Sequence, residues 1–159
     1  ERHVDRPYPL WHIENHFGIV HVDNTPKPAY KALQALYSQL DSDCKSASGV
    51  PVEFRVTRPS RDALDAQPKW FLYEDMSGEV PVRKLVFWYP VPAKDNFQPA
   101  LADISVGNAT ATGVPITDAP QILRVHKVDE RWGWPVLIDP LRYQMLENIS
   151  WTIGAGSEN

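Results

Sequence analysis

The sequence predicts a mainly β protein, an antiparallel β-sandwich preceded by a loop and one amphipathic helix. Three observations carry this. From residue 51 onward apolar and polar residues alternate in short runs, as in Val52-Glu-Phe-Arg-Val-Thr57, which is the period of a half-buried strand. The runs are broken by turns rich in Pro and Gly, and 15 Pro in 159 residues is more than long helices accommodate, because Pro belongs at turns, edges and bulges. Only one stretch, Pro26 to Leu40, has helical spacing instead.

In chain order, residues 1–24 read as loop with a brief apolar strand, Ile19 to Val22, and a turn at Asp23-Asn24. Thr25 can supply an N-cap oxygen, and Pro in the first helical turn gives up no backbone hydrogen bond. Ala29, Ala32, Leu33, Leu36, Tyr37 and Leu40 then form one stripe. A helix of about four turns is marginal alone in water and needs a surface to pack on. Asp41 to Gly49 is small and polar without periodicity, as a linker is. Strands follow over 52–57, 69–74, 83–89, 101–106, 121–128, 134–138 and 141–146. The segment Arg83 to Tyr89 is nearly all apolar, as a central strand would be. Ser77-Gly78 suggests an antiparallel hairpin between the second and third strands. The domain limits expected are 1–41 for loop, short strand and helix, 42–50 for the linker, 51–148 for the sandwich and 149–159 for a tail.

Composition bounds the function. A net charge of −4, with 16 Lys and Arg scattered and no basic block, argues against a nucleic-acid binder. No apolar run approaches the length of a membrane span. The single Cys44 allows no internal disulfide and reads as an incidental thiol. Asn108-Ala-Thr110 and Asn148-Ile-Ser150 are glycosylation sequons, of consequence only in a eukaryotic secretory pathway. The six Trp suit either a core or stacking on sugar rings. With Glu1 first and no signal peptide, a fragment, a processed chain or a split subunit is expected.

The segment Trp11-His-Ile-Glu-Asn-His-Phe-Gly-Ile-Val-His-Val-Asp-Asn-Thr-Pro-Lys-Pro-Ala-Tyr30 resembles the last β/α unit of clan-A glycoside hydrolases, where a Phe-Gly motif precedes a Lys-Pro-Ala-Tyr helix. The segment covers about an eighth of the chain and is moderately specific. Family-39-like members also end in a small β-sandwich beside their (β/α)8 barrel. Leu85-Val-Phe-Trp88, the small-residue turn within Ile104 to Gly113, and Trp134-Pro-Val-Leu-Ile-Asp-Pro140 follow that architecture loosely. The resemblance implies a carboxyl-terminal part of a retaining glycosidase acting on oligo- or polysaccharide. Residues 1–41 would derive from the barrel, and its remainder would be the partner, covalent or as a separate chain. The two catalytic carboxylates would lie on other strands, so this chain supplies no catalytic residue. An extracellular or periplasmic location is slightly favoured.

By the same resemblance Trp11, His12, Glu14 and Asn15 lie at the rim of the barrel's carboxyl-terminal face, where active-site loops gather. They would either touch a bound glycan or fix the loop against its neighbours. His12-Ile-Glu-Asn-His16 places two His four apart, but the Glu does not directly follow the first His, and Pro7, Pro9 and Gly18 argue against the helix a zincin needs. No metal and no cofactor are assigned. Lys27 reads as structural, paired with Asp23 or a barrel carboxylate. Trp132-Gly-Trp134 is the remaining carbohydrate candidate. Indoles at i and i+2 of a strand share a side; exposed they would form a sugar platform, buried they would anchor a hairpin, and burial is the stronger reading. Asp95, Asn96 and Gln98 read as turn residues, and no nucleophile constellation or phosphate loop is present. The competing functions are a non-catalytic carbohydrate-binding module and a domain that binds a protein partner through the apolar face of helix 26–40.

Overall fold

The computed structural model describes residues 24–26, 28–40, 43–92, 94–128, 131–139, 144–146 and 150–153. Helix α1 spans Pro28–Gln39, and among the described residues ten strands follow. They are β1 Cys44–Ser46, β2 Val52–Arg58, β3 Lys69–Asp75, β4 Val82–Trp88, β5 Ala100–Val106, β6 Ala109–Ile116, β7 Gln121–Val128, β8 Arg131–Asp139, β9 Gln144–Leu146 and β10 Ser150–Ile153. They form two antiparallel sheets, one of six strands in the order β1-β3-β4-β7-β8-β9 and one of four in the order β10-β6-β5-β2. The predicted sandwich is therefore the observed architecture, and β4 lies inside the larger sheet as its apolar composition required. The β3–β4 pair is antiparallel, in register from Lys69↔Trp88 to Asp75↔Val82.

The core sits between the sheets. Leu85 and Phe87 of β4 and Leu123 and Val125 of β7 face Ala100, Ala102, Ile104 and Val106 of β5. The ring of Phe54, from β2, meets that of Phe87 across the interface at 5.9 Å. Period-two alternation alone does not generate this core, because bulges shift the phase. On β6, Ala109 and Ala111 point inward, and so do Val114 and Ile116. The step of three falls where Thr112 and Gly113 oppose the single residue Asp103. Gly113 takes φ +69 there, and its amide donates to Asp103 Oδ1 at 3.2 Å. On β8, Trp132 and Leu137 both belong to the core, five apart, because Trp134 and Pro135 together oppose Val125. A Pro in a strand interior is placed where a bulge excuses its missing donor.

Gly113 has open space around its Cβ position, so a side chain there meets only backbone strain. Gly113→Ala is expected to cost about 1–2 kcal/mol, the penalty of a left-handed residue with a Cβ. Urea unfolding midpoints measure it, with Gly113→Asn expected to cost less.

Differences from the sequence reading lie at the edges. The segment 42–50, read as linker, contains β1, which pairs with β3. The tail 149–159 contains β10, which pairs with β6. Strand β6 itself was not expected. It is joined to β5 by the two residues Gly107-Asn108, with Gly107 at φ +61, the geometry of a tight primed hairpin turn. Residues 95–96 form a turn with Asn96 at φ +61, in line with the sequence.

Candidate functional site

The two outward faces of the sandwich differ in chemistry. Register places Arg55 of β2, Asp103 and Ser105 of β5, and Thr110 and Thr112 of β6 on the outside of the four-stranded sheet. Polar pairs span this face. Arg55 Nη2 donates to Asp103 Oδ2, and the Ser105 and Thr110 hydroxyls bond at 2.8 Å. The Arg55 guanidinium, then the Gly113 amide, hold the Asp103 carboxyl below its usual pKa. This is a surface made for water.

The outside of the six-stranded sheet is apolar and buried at its centre. Val82, Lys84 and Val86 on β4 and Ile122 on β7 share it, and all four are buried. Phe71, Tyr73 and Asp75 of β3 continue the row, with Cys44 beside Asp75 on the edge strand. Toward one end the face opens. Phe71 is 46% exposed, and its ring lies 6.0 Å from that of half-buried Trp88.

Lys84 organises the face. Its side chain is 6% exposed. The ammonium reaches Asp75 Oδ2 at 2.7 Å, the Gln39 carbonyl at 2.6 Å and Cys44 Sγ at 3.7 Å. A buried ammonium survives only with partners of this kind. The bond to Gln39 closes the last turn of α1, a helix with no basic residue of its own in that turn. A cation from the sheet thus meets the negative end of the helix and an orphan carbonyl together. Asp75 also accepts from the Ser77 amide at 3.0 Å and its hydroxyl at 2.6 Å. Lys84 first, and Ser77 next, hold the Asp75 carboxyl well below the ordinary carboxylate range.

Beyond this anchor α1 is partly uncovered. Leu36 and Leu40 are half-buried, whereas Leu33 is 38% exposed and Tyr37 69%. The stripe read from the sequence is therefore open along the side carrying Leu33 and Tyr37.

Among the residues proposed from sequence, Trp11, His12, Glu14 and Asn15 lie outside the described residues, as do Lys27 and the Phe17-Gly18 motif. Trp132 is buried, 7% exposed, with the Arg83 guanidinium stacked over its ring at 4.0 Å. Of the two readings open for Trp132, the buried one describes this indole, which packs in the core. Trp134 lies in β8 at the bulge, and its side chain lies outside the described residues. Arg83 in turn sits directly across from Glu74, with Nε 3.5 Å from Oε2. The structure brings to the fore residues not singled out from sequence, namely Lys84, Asp75 and Phe71, and sets Phe71 beside Trp88. A charge inside the apolar run at 83–89 was the available signal. Among the described residues no cluster of His, Cys, Asp or Glu could hold a metal ion, and no helix is long and apolar enough to cross a membrane.

A scan against protein-family models and searches of curated proteins and of solved structures find no significant match to this chain.

Proposed function

We propose that the chain is the carboxyl-terminal part of a glycoside hydrolase, supplying the final helix and one rim of a (β/α)8 barrel together with an accessory sandwich. The observation that carries this reading is α1. Its last turn is fixed to the sandwich through Lys84, while Leu33 and Tyr37 stay exposed on the same helix. A helix of this length gains its stability from packing an amphipathic face, and a barrel would give that face its surface. The Phe-Gly and Lys-Pro-Ala-Tyr segment supports the same assignment by resemblance. The reaction would be hydrolysis of an O-glycosidic bond between two carboxyl groups held by the rest of the barrel.

The test is made on the product of the native gene, by intact mass and by hydrolysis of a panel of aryl glycosides. Activity is expected in a product larger than 18.0 kDa or in a complex containing it. Leu33→Asp is expected to lower the temperature at which that activity is lost, since it forces a charge into the helix contact. A native product of 18.0 kDa with no barrel subunit and no glycosidase activity sinks the proposal.

The adjacent rings of exposed Phe71 and half-buried Trp88 favour one other reading, a non-catalytic carbohydrate-binding sandwich, because flat rings can stack on a pyranose face. Phe71→Ala would then weaken retention on polysaccharide affinity gels with the unfolding midpoint little changed, whereas Leu33→Asp would leave retention intact.

A further inference from the structure

We infer that Cys44 and Lys84 form an oxidative cross-link site, in which peroxide joins the edge strand β1 to β4 through a sulfur–nitrogen bond. Two nucleophilic side chains meet here, one from each side of β3. Register sets Cys44 beside Asp75 and places Lys84 opposite Tyr73, so both project onto the outward face of the sheet. The Lys84 ammonium donates to Cys44 Sγ at 3.7 Å. Cys44 is half-buried, which leaves its sulfur within reach of a small oxidant, while Lys84 is 6% exposed and has little freedom to point elsewhere. The thiolate is the form of cysteine that reacts with peroxide.

The chemistry balances with one equivalent of hydrogen peroxide. The Cys44 thiolate attacks a peroxide oxygen; a sulfur–oxygen bond forms, the oxygen–oxygen bond breaks, and hydroxide leaves. Sulfur has lost two electrons and stands as sulfenic acid. The hydroxide takes a proton from the Lys84 ammonium, giving water and a neutral amine. The amine lone pair attacks the sulfenic sulfur; a sulfur–nitrogen bond forms, the sulfur–oxygen bond breaks, and a second water leaves with an N–H proton. Thiolate, ammonium and peroxide have become a sulfenamide and two waters. Sulfenic acids are known to condense with nitrogen in this way. The product carries no positive charge at Lys84, so Asp75 loses its ion-pair partner and the Gln39 carbonyl loses its ammonium donor. Oxidation thus loosens the end of α1 while tying β1 to the sheet.

The experiment treats the purified protein with hydrogen peroxide and follows it by intact mass and by peptide mapping, with and without a 1,3-dione that captures sulfenic acid. The wild-type chain is expected to lose two hydrogens in mass, to yield a linked peptide pair containing Cys44 and Lys84, and to resist the dione. Dithiothreitol is expected to restore the starting mass. Lys84→Arg keeps the cation and cannot make the link, so it should accumulate dione-labelled Cys44 instead. Cys44→Ser should show neither product. Dione labelling of wild type equal to that of Lys84→Arg, or direct passage of Cys44 to sulfinic acid with Lys84 unmodified, would overturn the inference.

Discussion

Phe87→Ala is expected to destabilise the chain by about 3–5 kcal/mol. Phe87 is fully buried and sits on β4, inside the six-stranded sheet. Its ring meets Phe54 of the opposite sheet, so truncation opens a void at the seam on which both layers depend. The expected loss combines the transfer free energy of the removed ring with a cavity that flanking strands cannot close, since β4 is hydrogen-bonded on both sides. Phe54→Ala removes the other half of the contact from a half-buried edge position and should cost less. The two residues touch, so the double variant should fall short of the sum. Urea denaturation of the three variants, read as a change in midpoint with constant slope, measures this. A Phe87→Ala cost below about 1 kcal/mol would be incompatible with this packing.

These core positions were legible in the sequence where alternation runs unbroken. Val52 to Thr57, Leu101 to Val106 and residues 83–88 of the apolar run at 83–89 sit within strands in the structure. Strand β6 escaped because Ala-Thr-Ala-Thr-Gly-Val-Pro-Ile is built of small residues and because its bulge changes which parity faces inward. The pairs β1–β3 and β10–β6 are short edge pairings, too brief for a periodic signal. The bulge in β8 likewise sets Trp132 and Leu137, five apart, on the same inward face, which strict alternation does not encode. The face anchored by Lys84 was hidden for another reason. A charged residue inside a strand announces only that a partner must exist, and the partners Gln39 and Cys44 lie 45 and 40 residues away. Distance along the chain carries no trace of them, so the site required the fold.

Asp75→Asn is expected to cost about 3 kcal/mol, because it strands the Lys84 ammonium in a buried position without its counter-ion. The substitution preserves shape and retains a carbonyl oxygen that can still accept from the Ser77 amide and hydroxyl, so the turn after β3 survives and the charge is isolated as the cause. Lys84→Met should be similarly costly, since it leaves the carboxylate unpaired and removes the donor to Gln39. The double variant Asp75→Asn/Lys84→Met should recover much of the loss, as paired removal of a buried ion pair commonly does. The pH dependence follows from the same pair. The folded-state pKa of Asp75 is depressed by Lys84 and Ser77, whereas an unfolded Asp titrates near 3.9. Its stabilisation is therefore fully present above about pH 5 and is lost as pH falls below about 4 toward the folded-state pKa. In Asp75→Asn that component of the acid-side decline should be absent, and the stability difference from wild type should shrink as the pH is lowered. Denaturant midpoints of both proteins between neutral and acidic pH give the comparison. A difference that stays constant down to about pH 3 would mean that the carboxylate charge is not what holds Lys84.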